Sequence, residues 1–508
     1  MTYKLALVSP PLRATTRKLP LSLLCLAGYV DKYVENAETK LIDIKTQPYF
    51  KLSEKDFEEV KNKILQQIKE YKPEMVGFTI LFSDVKDSLE LAKRVREILP
   101  NTIIVAGGVH ASYRQDELLF KDSPFDYIVI GEGERTLKEL VGAHSKNKNK
   151  LSEKQIKKIK GLAYFKNKIC ETGFRELIHD LDEIPMIPYE KLNLGAYFKP
   201  EPSHIYYFLL SSSSLMTTRG CPSQCTFCTG KDLWKRTCGS FAIRSFSVKR
   251  VVDEIEVLVK KYKIDGIFFH DQSFTYDKER VKQICQEILK RKLKFIWQCQ
   301  TKAFMIDYEL VKLMKKAGCI QIAFGFESGS QEALNRMRKG ITVEQIREAV
   351  RICKDLNMRI FPCFMINTPG ETLEDLRRTE RLINEMDGRK TYYNFAITMR
   401  FPGAEIYEEL GKEKYQRAEY AILGNPTNDF IRKDKRVRMA VHNIDLPQEL
   451  AMLEKKHNPF YKRILMHFDK DYLKQLLRSK RKIEYIKEAL LIVKFLIYKM
   501  FTGERAAN

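Results

Sequence analysis

Two successive runs of alternating strand and helix patterns limit the folds open to this 508-residue chain. In residues 1–143, short apolar β-rich segments such as "YKLALVS", "EMVGFTI" and "NTIIVAGG" alternate with helical patterns at 21–35, 57–72 and 86–98. Strands buried on both faces of a parallel sheet produce this pattern, because helices cover each face. The sequence therefore predicts an α/β chain whose first domain, residues 1–143, is doubly wound and Rossmann-like.

A second α/β run follows a connector that spans residues 144–205. The connector opens with "HSKNKNKLSEKQIKKIK", which is typical of a solvated loop, and then carries prolines that interrupt regular elements. Six such strands predict a partial (β/α)6 barrel over residues 206–415, and residues 416–508 have a mostly helical pattern. The six strand candidates lie at 213–218, 266–270, 294–299, 320–326, 359–366 and 393–399.

Residues at the carboxyl ends of these strands are candidate binding residues, because parallel sheets bind ligands at that edge. Glycines among them would let a ligand approach the backbone closely. A lone histidine at a strand end is commonly a hydrogen-bonding loop residue, so His110 has that alternative role. The candidates in the first domain are Pro10, Pro11, Ser83, Asp84, Gly107, Gly108, His110, Gly131, Glu132 and Gly133.

Three cysteines follow the first barrel strand, Cys221, Cys225 and Cys228 in "TTRGCPSQCTFCTG". Thiolates at such spacing select zinc or an iron–sulfur cluster. A structural zinc site is closed by four ligands, and Cys238 could supply a fourth thiol. The triplet lies at the end of a barrel strand, where catalytic sites gather, and this favours a cluster with one open position for a small molecule.

The triplet, with Phe227 before its third cysteine, resembles the radical S-adenosylmethionine (SAM) enzymes. In that family three cysteines bind a 4Fe-4S cluster, and SAM chelates the open iron through its amino and carboxylate groups. "IFFHDQSFT" and "LMKKAGCIQIAFGFESGSQEAL" resemble the second- and fourth-strand segments of the family. Gln272 replaces the usual second acid, and Ala404 replaces a usual threonine. The resemblance implies a SAM site that includes Phe227, Asp271, Gln272, Glu327 and Ser328, with Glu327 at the ribose.

The first domain resembles the cobalamin-binding domains that precede radical SAM barrels. The resemblance rests on "SPPLRATTRKLPLSLLCLAGYV", "AGGVHAS" and "DYIVIGEGERTLKEL". It implies that Gly107 and Gly108 approach the macrocycle, and that Gly131 and Gly133 approach the nucleotide tail. In "IDIKTQPYF", Lys45 stands where many cobalamin domains place a cobalt-ligating histidine. The expectation is cobalamin without a histidine lower ligand, and a degenerate domain that binds no cobalamin is the alternative.

The resemblance implies one-electron cleavage of SAM to a 5′-deoxyadenosyl radical, with the electron supplied by a flavodoxin- or ferredoxin-type donor. The first hypothesis is cobalamin-dependent methylation at an unactivated carbon of an apolar small molecule or lipid. The second is a radical cyclase or coupling enzyme, since the chain also resembles the anaerobic magnesium-protoporphyrin ester cyclases. The third hypothesis, from another class, is a basic binding protein with a structural four-cysteine zinc site.

Charge and cysteine usage bear on partners and location. A net charge of +23 fits a lysine-rich surface, nucleic acid, an anionic substrate or an acidic membrane surface. No strand combines basic and aromatic residues in the manner of nucleic-acid binders, so nucleic acid is not favoured. The eleven cysteines are scattered, which predicts a reducing, cytoplasmic location. Residues 19–30 resemble a signal peptide only faintly, because no small-residue cleavage site follows them.

The C-terminal segment 483–508 predicts one wide-faced amphipathic helix. Its polar residues Glu484, Lys487, Glu488, Lys494 and Lys499 fall within an arc of roughly 140° at helical spacing. Such a helix packs against its own domain or lies in a membrane interface. Both placements are open from the sequence, and the second would give access to a lipid substrate.

Overall fold

The computed structural model of the protein describes most of both predicted domains. Several of the sequence-based interpretations concern positions outside the described residues. These are Lys45, Ser83, Cys238, the predicted helical region 416–469 except 456–457, and the C-terminal segment beyond residue 490 together with Glu488. The described residues are 2–11, 19–44, 53–82, 84–202, 209–230, 235, 239, 242–366, 368–388, 391–398, 401–408, 456–457, 470–487 and 489–490.

The first domain is built on a seven-stranded sheet with the order β2-β1-β3-β4-β5-β6-β7. Strands β1 to β5 pair in parallel, whereas the β5–β6 and β6–β7 pairings are antiparallel. The strands are β1 (Tyr3–Val8), β2 (Ala37–Ile42), β3 (Met75–Thr79), β4 (Ile103–Gly107), β5 (Tyr127–Val129), β6 (Leu162–Lys166) and β7 (Lys168–Glu171).

Helices cover both faces of this sheet, as the sequence predicts. Leu5 and Leu7 of β1 join the core on one face, and Ala6 and Val8 join the core on the other. None of these four side chains is more than 2% exposed, which matches the continuous apolar runs of a parallel sheet. The helices are α1 (Leu21–Tyr33), α2 (Glu54–Tyr71), α3 (Val85–Ile98), α4 (Val109–Tyr113), α5 (Gln115–Leu118), α6 (Gly133–Lys146) and α7 (Glu153–Ile156).

The interval 144–205 contains regular structure that the interpretation as a connector missed. Strands β6 and β7 form a hairpin whose first strand pairs with β5 at Ile128–Ala163 and Val129–Leu162. The hairpin therefore covers an edge of the parallel sheet that would otherwise expose unpaired backbone groups. A short helix, α8 (Leu194–Tyr197), and two short strands, β8 (Glu201–Pro202) and β9 (Leu209–Leu210), lead into the barrel.

The barrel is an open six-stranded parallel sheet with the order β10-β13-β14-β15-β16-β17, which confirms the predicted partial barrel. Its strands are β10 (Ser212–Leu215), β13 (Gly266–Phe269), β14 (Ile296–Thr301), β15 (Cys319–Glu327), β16 (Arg359–Ile366) and β17 (Asn394–Ile397). A small antiparallel ribbon pairs β11 (Thr218–Arg219) with β12 (Arg244–Ser245).

Helices follow the barrel strands in the expected alternation. Two of them begin with a capping box that satisfies backbone N–H groups at the helix start, Thr342 with Gln345 and Thr372 with Asp375. The helices are α9 (Val248–Glu256), α10 (Lys278–Lys290), α11 (Tyr308–Lys316), α12 (Gln331–Arg336), α13 (Val343–Asp355), α14 (Leu373–Met386) and α15 (Glu405–Glu408).

The described part of the C-terminal region packs against the amino end of the barrel. Helix α16 (Lys470–Arg478) places Tyr472 in a core with Ile296 and Ile320, which lie at the amino ends of two barrel strands. Beyond α16, the Tyr485 hydroxyl donates to Asp265, the residue before β13. In the part of the chain that the structure describes, no helix is long and apolar enough to cross a bilayer.

Candidate functional site

The three cysteines lie in residues 220–230, the cysteine segment, which leaves the barrel from the β11–β12 ribbon. Arg219 of β11 is paired with Arg244 of β12, so the ribbon brings both ends of the loop together. Gly220 has φ +104°, and a Cβ there would lie 2.7 Å from the carbonyl oxygen of Ala242. Only glycine fits this turn without strain, and it directs the chain toward Cys221.

Hydrogen bonds attach the middle of the cysteine segment to distant parts of the barrel. The Thr226 N–H donates to the Met337 carbonyl at 3.0 Å, and the Ile406 N–H donates to the Thr226 carbonyl at 3.2 Å. Cys228 N–H donates to the Cys225 carbonyl at 3.2 Å, which forms a tight turn between the last two thiols. The segment is therefore held by the chain after α12 and by α15.

Asp271 anchors the strand that precedes the cysteine segment. Its Oδ1 accepts hydrogen bonds from the Thr217 N–H at 2.9 Å, the Thr217 hydroxyl at 3.0 Å and the Thr218 hydroxyl at 2.5 Å. Asp271 is fully buried, and burial raises the pKa of its carboxyl. The structure thus gives Asp271 a role in shaping the site, whereas contact with SAM stays a prediction.

The thiols differ in exposure and lie near two lysines. Cys221 and Cys225 are partly buried, and Cys228 is exposed. Burial raises the pKa of Cys225, while the positive charges of Lys339 and Lys302 oppose that shift. Among the described residues, no three His, Cys, Asp or Glu side chains are grouped for a single metal ion.

Glu327 ends β15 in an unusual backbone conformation beside the cysteine segment. Its φ is +63°, and its carboxylate accepts from Lys339 Nζ at 2.7 Å. Gly325 leaves room for this ion pair, because a Cβ there would lie 2.6 Å from Glu327 Oε1. Lys339 Nζ also lies 5.7 Å from the centre of the Phe227 ring. The predicted residues Phe227 and Glu327 therefore share Lys339 as a neighbour.

A cavity of about 410 Å³ lies between the first sheet and the barrel. Its walls include the carboxyl ends of β3, β4 and β5, the helices α1 and α6, and the barrel residues Met216, Arg219 and His270. Most of the surrounding side chains are apolar, among them Leu7, Leu26 and Leu137. Six of the sequence-predicted site residues line it: Gly107, Gly108, Gly131, Glu132, Gly133 and Gln272.

The lining of the cavity is compatible with the close approach of a large flat cofactor. Its floor is made of backbone and small side chains at Gly77, Gly107 and Gly133, and a Cβ at Gly133 would already lie 3.0 Å from Leu26 Cδ2. Ligands of open parallel sheets bind at this edge. The residues present are therefore compatible with cobalamin held between the two domains.

Several predicted residues of the first domain lie away from this cavity. Pro10 and Pro11 are buried after β1. The Asp84 carboxylate accepts from the Leu81 N–H at 2.7 Å, and burial raises its pKa to about 7. His110 is 4% exposed, and its Nε2 lies 2.9 Å from Glu117 Oε2. The structure thus shows a hydrogen-bonding role for His110, which was its alternative interpretation.

Residues that sequence reasoning missed surround the same region. Lys302 directly follows β14, and its ammonium donates to the Lys339 carbonyl at 2.5 Å. His270 directly follows β13 and lines the cavity. Both stand at carboxyl ends of barrel strands, so the rule used for the first domain would have found them. Ser328, which was predicted, instead points to Thr379 of α14 at 3.1 Å.

The fold and the site define a two-domain α/β protein in which a ligand-binding parallel sheet faces a thiol-bearing partial barrel. Family models agree with this description. The model for the radical SAM superfamily matches residues 215–383, and the model for the B12 binding domain matches residues 17–141.

Relatives extend the match over most of the chain. An uncharacterized methyltransferase of Pyrococcus horikoshii is 32% identical over 414 residues, or 80% of this chain and 82% of that protein. The anaerobic magnesium-protoporphyrin IX monomethyl ester cyclase of Rubrivivax gelatinosus is 28% identical and matches 69% of this chain, but only 60% of its own length. The chain therefore belongs to the radical SAM superfamily, in the group whose barrel is joined to a B12-binding domain.

A solved structure supports the fold. The radical SAM methyltransferase TsrM of Kitasatospora setae, solved with cobalamin and a 4Fe-4S cluster, superimposes with a TM-score of 0.64 at 19% identity. The match covers 82% of this chain and 78% of TsrM. Family membership makes the protein an enzyme and implies a 4Fe-4S cluster, SAM and cobalamin as its cofactors.

Proposed function

We propose that this enzyme transfers a methyl group to an unactivated carbon of an apolar small molecule, with cobalamin held between its two domains. One observation carries the proposal: a single cavity joins the carboxyl ends of the first sheet to Arg219, Gly220, His270 and Gln272 beside the cysteine segment. A ligand in that cavity would lie next to both predicted cofactor sites. Bound there, cobalamin and SAM would supply a transferable methyl group and one-electron cleavage chemistry.

The chain's own residues would bind the cofactors and orient them. Cys221, Cys225 and Cys228 would hold the cluster, and the barrel's strand-end loops would exclude water around it. Lys339 pairs with the Glu327 carboxylate at the end of β15, and that carboxylate would accept a hydrogen bond from a ribose hydroxyl of SAM. The apolar cavity walls favour a substrate with little charge. An external flavodoxin- or ferredoxin-type donor belongs to the proposal, since a cluster needs an electron from outside.

An oxidative cyclase is the second candidate, because the cyclase of Rubrivivax gelatinosus is among the relatives. The methyltransferase relative is matched over a larger share of its own length, 82% against 60%, and this favours methylation. The deciding experiment is anaerobic incubation with SAM and reductant. Formation of 5′-deoxyadenosine together with S-adenosylhomocysteine would support the methylase, and deoxyadenosine alone would support the cyclase.

Cobalamin should be bound without a histidine lower ligand. A lower ligand would come from the first domain, where His110 is engaged by Glu117 and does not line the cavity. His270 lines the cavity from the opposite, barrel side. The reduced paramagnetic cobalt spectrum should therefore lack nitrogen superhyperfine splitting. Histidine-type splitting would contradict the proposal, and its loss in His110→Ala or His270→Ala would identify the ligand.

Membrane contact through the C-terminal segment is a separate proposal. Leu477, Ile483, Ile486 and Leu490 are 62–76% exposed, which an interfacial helix requires. Yet α16 packs at the amino end of the barrel, opposite the cysteine segment, so a membrane bound there would not face the cavity. Deleting residues 483–508 should abolish liposome flotation if the contact exists. An intact protein that never floats would remove this argument for a lipid substrate.

The predicted cytoplasmic location is part of the proposal as well. Ten cysteines lie within the described residues, and all ten are free thiols. Unpaired cysteines are typical of a reducing compartment.

A further inference from the structure

Four charged side chains connect the first domain to the base of the cysteine segment. Glu132 and Glu134 lie at the start of α6, and Arg219 and Arg244 are partners in the β11–β12 ribbon. Arg219 donates through Nη1 to Glu132 Oε1 at 3.0 Å and through Nη2 to Glu134 Oε1 at 2.6 Å. Arg244 Nη1 donates to Glu132 Oε2 at 2.9 Å. Each strand of the ribbon therefore contributes one arginine to the carboxylates of the other domain.

This network is buried and balanced in charge. The side chains of Glu132, Glu134 and Arg244 are 2%, 6% and 4% exposed, and that of Arg219 is 13% exposed. Two carboxylates meet two guanidinium groups, so no formal charge is left over. Buried arginine–carboxylate contacts are geometrically specific, and removing one member leaves a costly buried charge. The network thus holds the ribbon in one position relative to the first sheet.

The same residues border the cavity and the thiols. Glu132, Glu134 and Arg219 line the cavity, and Arg219 is followed directly by Gly220 and Cys221. We propose that the network is a positioning device through which a ligand in the cavity orders the cysteine segment. The inference rests on the proposed function, since it takes cobalamin as the ligand. Linkage requires the effect to be reciprocal, so an assembled cluster should tighten cobalamin binding by the same factor.

Arg244 is the residue at which to test the device, because it belongs to the network but does not line the cavity. Hydroxocobalamin is added to the full-length, cluster-free protein, and amide hydrogen exchange is measured in the cysteine segment. Wild-type protein should show exchange slowed at least fivefold by hydroxocobalamin. Arg244→Gln should lose most of this protection while binding hydroxocobalamin with a Kd within about threefold of wild type. Arg244→Lys, which keeps the charge but not the guanidinium fork, should show intermediate protection and serves if Arg244→Gln does not fold.

Arg96→Gln is the matched control. Arg96 also makes several bonds, to the Pro100, Thr102 and Pro124 carbonyls and to Asp126, but all lie within the first domain. Its variant should keep the protection of the cysteine segment. Two outcomes would overturn this inference and leave the proposed function intact. One is equal protection of the cysteine segment in wild type and Arg244→Gln. The other is wild-type protein that binds hydroxocobalamin but shows no protection. Wild-type protein that binds no hydroxocobalamin, as judged from its absorbance, would overturn the proposed function and this inference with it.

Discussion

Strand β13 is flanked by two buried aspartates, Asp265 at its amino end and Asp271 at its carboxyl end. Burial raises the pKa of both carboxyls. Asp265 accepts hydrogen bonds from Gln475 at 3.1 Å, Ser479 at 2.7 Å and Tyr485 at 2.9 Å, and so attaches the C-terminal segment. Asp271 instead accepts from the Thr217 N–H and from the hydroxyls of Thr217 and Thr218, which lead into the cysteines.

The difference between the two ends lies in their charged neighbours. Around Asp265 the hydrogen-bond donors are a neutral amide and two hydroxyls, and one cation, Arg481, lies near the carboxylate. These contacts suffice to dock a helix. The carboxyl end gathers the thiols together with Lys302, Lys339 and Glu327, all within reach of one another. Burying several ionisable groups is costly, so their concentration at one end of the barrel indicates a functional site. The amino end of the barrel has a structural role, since Asp265 attaches the C-terminal region there.

The strongest test of this comparison alters the thiols at the carboxyl end. Cys221→Ala, Cys225→Ala and Cys228→Ala should each abolish iron–sulfide absorption after anaerobic reconstitution, because only these thiols share the cysteine segment. Cys353→Ala is the control, since Cys353 is buried in α13. If Cys238→Ala removed the metal equally, the site would have four cysteine ligands and the three-cysteine interpretation would be wrong.

Substitution of the two aspartates that flank β13 should have different effects. Asp265→Ala and Asp271→Ala each remove the acceptor of three buried donors, so each should lower the free energy of unfolding by about 2–3 kcal/mol. Asp265→Ala should also expose residues 470–487 to protease while keeping the cluster. Asp271→Ala should lower the iron content instead. Cluster loss in Asp265→Ala would show that the two ends are coupled and that the comparison is wrong.

A third buried aspartate, Asp84, extends the comparison to the pH dependence of stability. Burial raises the pKa of Asp84 to about 7, so between about pH 4 and pH 7 the folded state holds a proton that the unfolded state has lost. Stability should therefore fall as pH rises through this range. Asp84→Asn should stabilise the protein at pH 8 by roughly 2–4 kcal/mol and have little effect near pH 4. Urea unfolding at pH 4 and at pH 8 measures the change in the free energy of unfolding.

Asp375 provides the control of opposite sign. Against the effect of burial, hydrogen bonds from Ser330, Thr372 and Arg336 lower its pKa to about 2. Its contribution is present above about pH 4 and is lost as pH falls toward 2. Asp375→Asn should therefore destabilise the protein at pH 8. If both variants shifted stability in the same direction at pH 8, the assignment of the pH dependence to these carboxyls would fail.

The smallest expected effect concerns Glu327. Glu327→Gln should weaken SAM binding about tenfold, or about 1.4 kcal/mol, with the cluster spectrum unchanged. The ion pair with Lys339 offers a structural explanation for the same residue. Lys339→Met separates the two: equal loss of stability in both variants with unaltered SAM affinity would assign Glu327 to the ion pair alone.

Local sequence patterns predicted the elements well where the strands are buried on both faces. The prediction of a strand at 320–326 corresponds to β15 at Cys319–Glu327, and the prediction at 266–270 corresponds to β13 at Gly266–Phe269. Buried parallel strands carry a signal in consecutive residues, because both faces are apolar. The β6–β7 hairpin was missed because β7 is not buried and the hairpin follows a lysine-rich loop, so the pairing of β6 with β5 depends on the sheet edge.

The sequence alone determined the order of the two domains, the parallel sheets and the cysteine triplet, since each depends on residues close together in the chain. Only the tertiary structure decided which strand ends meet. Arg219 and Glu132 are 87 residues apart, and Tyr485 and Asp265 are 220 residues apart, yet both pairs are hydrogen-bonded. Contacts of this kind depend on how helices and strands pack in space, which no local spacing encodes. The tertiary structure also decided three other features: the interdomain cavity, the Lys339–Glu327 pair and the docking of α16 at the amino end.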